Sequence, residues 1–222
     1  MAASSSQDEL PDGRTEQGAA VGRFRVPFVA LTGGLGSGKS TALAALGRLG
    51  AATLSTDAVV HELYGSDEVV GAVVARWGPE VVGADGVVDR GAIARRVFGE
   101  AAEREWLEGL LWPLVGARVW AFRTEQEDAD PAPKAAVVET PLLFEAGMHE
   151  MYDATIAVVA DEDVRRARAA ARGHEAVDER SARQLTQDEK AQRATFVVVN
   201  DGTEADLESA LSSVLGKLIA SR

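Results

Sequence analysis

The 222-residue chain contains no cysteine, which excludes disulfide frameworks, thiolate metal sites and cysteine nucleophiles. Stability must therefore come from packing. Aromatic residues make up only 5% of the chain and the histidines number three. His61, His149 and His174 are scattered without metal-ligand spacing, so no chemistry is assigned to them. Positive charge is also scarce: 35 acidic residues against 23 basic ones leave a net charge of -12. A nucleic-acid binder neutralises phosphates with a broad basic surface, so any phosphate held by this chain must be held locally. Long apolar runs are missing too. Arg, Asp or Glu interrupts every Val/Ala/Leu-rich segment before the roughly 18 residues of a membrane span. The opening residues lack the apolar core of a secretory leader. The expectation is a cytoplasmic protein without nucleic-acid or membrane partners, a monomer or small homo-oligomer.

What is present is enough apolar residue, 46% of the chain, to bury the core of one domain with room for a subdomain. Residues 1–26, rich in Ala, Ser, Gly and charged side chains, are expected to form a disordered tail, and residues 27–222 the folded domain. Phe28 to Leu31 form a short apolar run that ends in a glycine-rich turn and predicts a buried strand. Leu43, Leu46 and Leu49 then mark one face of a helix over Ser40–Leu49, closed by Gly50. Ala51–Leu54 predicts a second strand. Strand, turn, helix, strand is a βαβ unit, and parallel strands imply helices packed on the sheet.

From Ala58 to about Gln126 the apolar spacing is mostly helical, with Asp89 as a cap for the helix from Arg90. Residues 58–134 are expected to be an inserted helical subdomain ending in a Pro/Asp-rich surface loop from Glu127 to Lys134. Further strands are expected at Ala135–Val138, Thr155–Val159 and Phe196–Val199. An Arg-rich helical stretch runs from Asp163 to Lys190, and a closing helix from about Glu204 to Ile219. The alternation predicts an α/β fold.

Gly33-Gly34-Leu35-Gly36-Ser37-Gly38-Lys39-Ser40, followed by Thr41, satisfies G-x-x-x-x-G-K-[ST] between a strand and a helix start. Glycines let successive amides curl into a concave nest without Cβ clashes, and the helix N-terminus adds positive potential toward phosphates. In this reading Gly34, Gly36, Ser37, Gly38, Lys39, Ser40 and Thr41 bind ATP, with Lys39 across the β- and γ-phosphates and Ser40 on Mg²⁺. The motif serves kinases, ATPases, GTPases and motors alike, so it does not name the acceptor.

The remaining candidates each carry two readings. Asp57, just beyond the second strand, is either a general base that takes the acceptor hydroxyl's proton or the N-cap of the next helix. Glu139, ending the third strand, is either a water-mediated support for Mg²⁺ or an ordinary loop acid. In Pro141-Leu142-Leu143-Phe144-Glu145 a carboxylate beside an apolar wall suits an acceptor pocket, although core packing explains the apolar residues equally well. Arg165, Arg166, Arg168, Arg172, Arg180 and Arg183 form mostly a solvated, ion-paired face. A kinase nevertheless needs a mobile guanidinium over the phosphates, and Arg172, before the hinge candidate Gly173, is the first choice. Asn200-Asp201-Gly202 is a turn or the edge of an adenine pocket.

Taken in order, these residues resemble the dephospho-CoA kinase family. The likeness runs from Phe28 to Leu218: Leu31-Thr32-Gly33-Gly34 into the P-loop, Leu49-Gly50-Ala51, Asp57, Val88-Asp89-Arg90, Val97-Phe98, Leu111 with Pro113-Leu114-Val115, Pro141 to Glu145, Arg172, Arg183, Gln187, and Asn200 with Gly202. The resemblance implies a P-loop NTPase-type parallel sheet flanked by helices, an inserted helical acceptor-binding region and a helical lid over residues 163–192. It implies Lys39, Asp57 and Arg172 as catalytic residues, Asn200 at the nucleotide, and Asp57, Arg90, Pro141, Leu142, Leu143 and Glu145 at dephospho-CoA. The expected reaction is transfer from ATP, with Mg²⁺, to the ribose 3′-hydroxyl, giving coenzyme A. Alternatives are a kinase for another small hydroxyl compound or a regulatory NTPase. Ser55, Trp112 and Thr195 stand where the family usually has aspartate, histidine and aspartate, and the segment from Gln187 to Asn200 is shorter than usual.

Overall fold

The computed structural model describes residues 25–171 and 184–220. Five strands, β1 (Phe28–Gly33), β2 (Ala52–Ser55), β3 (Ala136–Glu139), β4 (Ala154–Val159) and β5 (Phe196–Val199), form one sheet in the order β2-β3-β1-β4-β5. Every pairing is parallel. The central strand β1, buried at all six positions, is apolar on both faces because helices cover both. After β1 the chain fills one side with β2 and β3, then crosses to the other for β4 and β5. Ligands of such sheets collect at the carboxyl ends of the strands where the order reverses.

Helix α1 (Lys39–Arg48) and the final helix (Glu204–Ala220) pack together on one face. They bury Leu31, Leu46, Ile156, Val158, Leu207 and Leu211 in the first core. The other face carries Phe28, Ala30, Val138, Leu143 and Phe144 against Val115, Val119 and Phe122 of a long helix. Each fully buried Leu or Phe contributes about 1.5–3 kcal/mol.

Between β2 and β3 lie α2 (Thr56–Leu63), α3 (Asp67–Trp77), a 3-10 turn (Pro79–Val81), α4 (Arg90–Val97) and α5 (Ala101–Glu127). As expected from sequence, Asp89 caps α4 by accepting from the Gly91 amide at 2.8 Å. The inserted region is not helical throughout, since a Val82–Val88 bridge closes a turn at Ala84-Asp85. Helix α5, 27 residues long with Pro113 inside, is shared between two cores. Leu107 and Leu111 belong to a third core with Val69, Val73 and Ile93, whereas Val115, Val119 and Phe122 belong to the second.

Residues 25 and 26, ahead of the expected boundary at residue 27, take part in the packing. Val26 is buried, and the amides of Arg25 and Val26 donate to the two oxygens of Glu127, both at 2.7 Å. The expected tail before Arg25 lies outside the described residues. The Arg-rich stretch gives α6 (Glu162–Ala171) and α7 (Gln187–Arg193), with Thr186 and Glu189 forming a capping box at the start of α7. The final helix is α8. Among the described residues no helix is long and apolar enough to cross a membrane.

Candidate active site

β1 runs straight into the glycine-rich loop, and α1 opens at Lys39 with Gly38 in the left-handed region at φ 90°. No side chain caps this helix start and no acidic residue lies in its first turn, so the positive end of the helix is uncompensated and suits an anion. Gly36 is left-handed as well, at φ 75°. Neighbours reinforce the requirement for glycine: a Cβ at Gly36 would run into the Arg165 carbonyl oxygen, and one at Gly38 into Asn200 Nδ2. Gly34, an unspecified position in the motif, would place a Cβ 3.0 Å from Arg165 Nη2. The extra glycines thus let α6 lie directly on the loop.

Side chains hold the loop from outside. Asn200 Nδ2 donates to the Ser37 carbonyl at 2.9 Å, and Arg168 Nη1 donates to the Asn200 carbonyl at 2.9 Å. Arg165 Nε donates to the Leu35 carbonyl at 2.9 Å, while its Nη1 pairs with Glu162 at 2.8 Å. A cavity of about 250 Å³ is lined by Gly38, Thr41, Arg168, Asn200 and Gly202. It sits at the start of α1, where a nucleotide's phosphates would lead outward to its base.

Lys39 Nζ donates to the Gly34 carbonyl at 3.0 Å. Burial holds this ammonium below the usual lysine range; Glu139 and Asp57 oppose the shift and Lys190 and Arg165 add to it. The parallel register explains the company, because Glu139 aligns with Leu31 of β1 on one side and with Ser55 of β2 on the other. Glu139 is buried, and burial pushes its carboxyl above the usual carboxylate range; Lys39 and a hydrogen bond with Ser55 pull it back, and Asp57 adds to the push. The Thr56 hydroxyl donates to the Glu139 carbonyl at 3.0 Å. Asp57 is exposed in the first turn of α2, not at its N-cap. The helix starts at Thr56, earlier than its apolar spacing indicates, and Ser55 takes the cap position. Lys39, Glu139 and Asp57 therefore meet at the carboxyl edge of β1, β2 and β3, while Ser40 lies exposed beside them on α1.

The turn after β3 is less open than its sequence indicates. Pro141 and Leu142 are half-buried, but Leu143 is fully buried with Phe144 in the second core. Glu145 is occupied within the protein: its Oε1 accepts the Leu185 amide at 2.7 Å and pairs with Lys190 Nζ at 2.9 Å.

A family model for dephospho-CoA kinase matches residues 27–206. The chain belongs to the dephospho-CoA kinase family. Dephospho-CoA kinase of Symbiobacterium thermophilum is 37% identical over 197 residues, covering 85% of this chain and 82% of that one. The Moorella thermoacetica dephospho-CoA kinase is 38% identical over 191 residues, covering 84% and 88%. A solved Thermus thermophilus protein superposes with a TM-score of 0.70 at 34% identity, over 87% of this chain and 99% of that one. Dephospho-CoA kinase from Campylobacter jejuni shares the fold, with a TM-score of 0.63 at 21% identity over 87% and 97%.

Within this dephospho-CoA kinase family member, the residues predicted from sequence do not all converge. Arg90 is exposed at the first residue of α4, a helix that packs on α5 and the 3-10 turn rather than on the sheet. Arg172 lies outside the described residues. Arg165 and Arg168, taken for part of a solvated face, instead touch the loop and the cavity. Their spacing of three residues along one helix was the available signal. Arg166, pointing elsewhere, does pair with Asp163 at 2.5 Å on the surface. Lys190 gave no signal at all. Among the family departures, Ser55 bonds Glu139, and Thr195 exchanges bonds with Thr155: the Thr155 amide donates to Thr195 Oγ1 at 3.1 Å and the Thr195 amide to Thr155 Oγ1 at 2.9 Å. Trp112 is 53% exposed on α5.

Proposed function

We propose that the chain transfers the γ-phosphoryl group of ATP to the ribose 3′-hydroxyl of dephospho-CoA, giving coenzyme A and ADP, the last step of coenzyme A synthesis. The observation that carries this reading is the meeting of Lys39, Glu139 and Asp57 at the mouth of the phosphate loop. The loop amides and Lys39 hold the triphosphate and offset charge on the transferred group. Asp57, exposed at the same edge, accepts the hydroxyl proton as the 3′-oxygen bonds to the γ-phosphorus. The bond to the β–γ bridging oxygen breaks, and ADP leaves with its electron pair.

The donors suit Mg²⁺. Among the described residues no group of three or more His, Asp or Glu side chains could hold an ion alone. One hydroxyl, Ser40, and one carboxylate, Glu139 through water, suit an ion that arrives with the phosphates and keeps part of its own water. It would supply further neutralisation of phosphate charge. Residues 58–134 with Pro141 and Leu142 serve the acceptor in this reading, and the setting is cytoplasmic; of the lid expected over residues 163–192, residues 172–183 lie outside the described residues and α7 is tied to Ala160 by Gln187.

The test is direct. Purified protein with Mg-ATP and dephospho-CoA should yield coenzyme A by mass. Phosphorylation of other nucleosides or sugars but not dephospho-CoA, or ATP hydrolysis with no acceptor phosphorylated, would overturn the assignment.

A further inference from the structure

Lys190 is the one lysine among the described residues with no exposed surface. A buried ammonium is costly unless paired and hydrogen-bonded, and this one is both. Its Nζ pairs with Glu145 Oε1 at 2.9 Å and donates to the Pro141 carbonyl at 2.5 Å. The Pro141 carbonyl is also approached by the Thr32 hydroxyl of β1 at 3.4 Å. Glu145 Oε1 receives in addition the Leu185 amide, from the segment entering α7. One side chain therefore joins α7 to both ends of the turn from Pro141 to Glu145. Helix α7 is itself fixed to the sheet: Gln187 clasps Ala160 in both directions, accepting its amide at 3.2 Å and donating to its carbonyl at 2.9 Å.

Burial holds the Lys190 ammonium below the usual lysine range, and Glu145 opposes that shift. Lys190 also lies near enough to Lys39 to act on it electrostatically. A merely structural contact between α7 and the turn would be made more cheaply by apolar residues, since replacing a buried ion pair with well-packed apolar side chains is often neutral or stabilising. What the ammonium adds is direction, because its hydrogens fix the Pro141 carbonyl and the Glu145 carboxylate in one geometry.

We propose that Lys190 is a positioning residue for the acceptor: it sets the turn Pro141–Glu145 against the phosphate loop from α7, and so couples that helix to acceptor binding. The proposal rests on the reading of this turn as part of the dephospho-CoA pocket. Its test therefore includes a measurement that needs no substrate. In Lys190→Met the amides of Ala146, Gly147 and Met148, which bond back to Leu142, Phe144 and Leu143, should exchange with deuterium about tenfold faster than in the parent, and those of α1 should be unchanged. KM for dephospho-CoA should rise about tenfold, with the ATP dissociation constant within about twofold. Lys190→Arg should recover part of the acceptor affinity. Because the single variant leaves Glu145 buried without its cation, Lys190→Met/Glu145→Met is made as well; it should regain thermal stability while keeping the raised KM. Recovery of KM together with stability in the double variant would overturn the proposal, as would unchanged exchange of the turn in Lys190→Met. Parent protein that binds ATP but does not phosphorylate dephospho-CoA would overturn the functional reading instead, and the exchange rates would still decide whether Lys190 holds the turn.

Discussion

The half of the candidate site at the glycine-rich loop is built from main chain, and the half proposed to face the acceptor is built from side chains. On the donor side, amides of residues 34–38 and the opening of α1 form the surface, and Asn200, Arg165 and Arg168 act by bonding to carbonyls behind it. Beside it, Asp57, Glu139 and Glu145 come from separate elements, and their positions depend on strand register and on Lys190. A main-chain surface is fixed by which residues lack a Cβ, so it is local and tolerates few sequences. A side-chain surface is assembled across the fold, so each part depends on the element that carries it and on the side chains that hold it.

That contrast can be broken by five substitutions. Lys39→Ala removes the ammonium proposed to hold the triphosphate, and should lower kcat/KM by roughly a thousandfold with unchanged circular dichroism. Asp57→Asn should lower kcat by about a hundredfold or more while calorimetry finds ATP affinity near that of the parent; wild-type turnover would remove Asp57 from the base role. Gly36→Ala puts an L side chain at a left-handed position facing the Arg165 carbonyl. It should weaken ATP binding about tenfold or more, corresponding to strain of the order of 1–3 kcal/mol. A normal dissociation constant there would contradict a donor half made of main chain. The smallest effect separates two arginines of one helix. Arg165→Ala should weaken ATP binding several-fold by loosening the loop, whereas Arg166→Ala, whose partners are on the surface, should change neither affinity nor stability by more than about 0.5 kcal/mol. Equal effects would show that α6 acts as a whole and not through the contact with Leu35.

The same contrast governs what could be read without coordinates. The phosphate loop, β5 and the Asp89 cap were legible because each is specified within a few neighbouring residues. The strand Phe28–Leu31 was legible but short by two positions, since Thr32 and Gly33 carry no apolar signal although both are buried. Asp57 was legible as a residue just beyond β2, but its relation to α2 was not: apolar spacing places the helix start by Val59 and Val60, and polar Thr56 extends the helix one residue ahead of Asp57. Lys190 was invisible. It follows Asp188 and Glu189 in a stretch that reads as charged surface, and its burial is decided by a carbonyl 49 residues away. Leu143 and Glu145 were seen as a pair, yet only packing shows that the first serves the core and the second answers a lysine.

The bonds from Glu127 to Arg25 and Val26 have a practical consequence. They anchor the start of the described chain beside the entry to β1, and the phosphate loop lies at the exit of that strand, about 20 Å along its axis. A fluorophore carried at Arg25 itself would therefore sit about a strand's length from the phosphate loop.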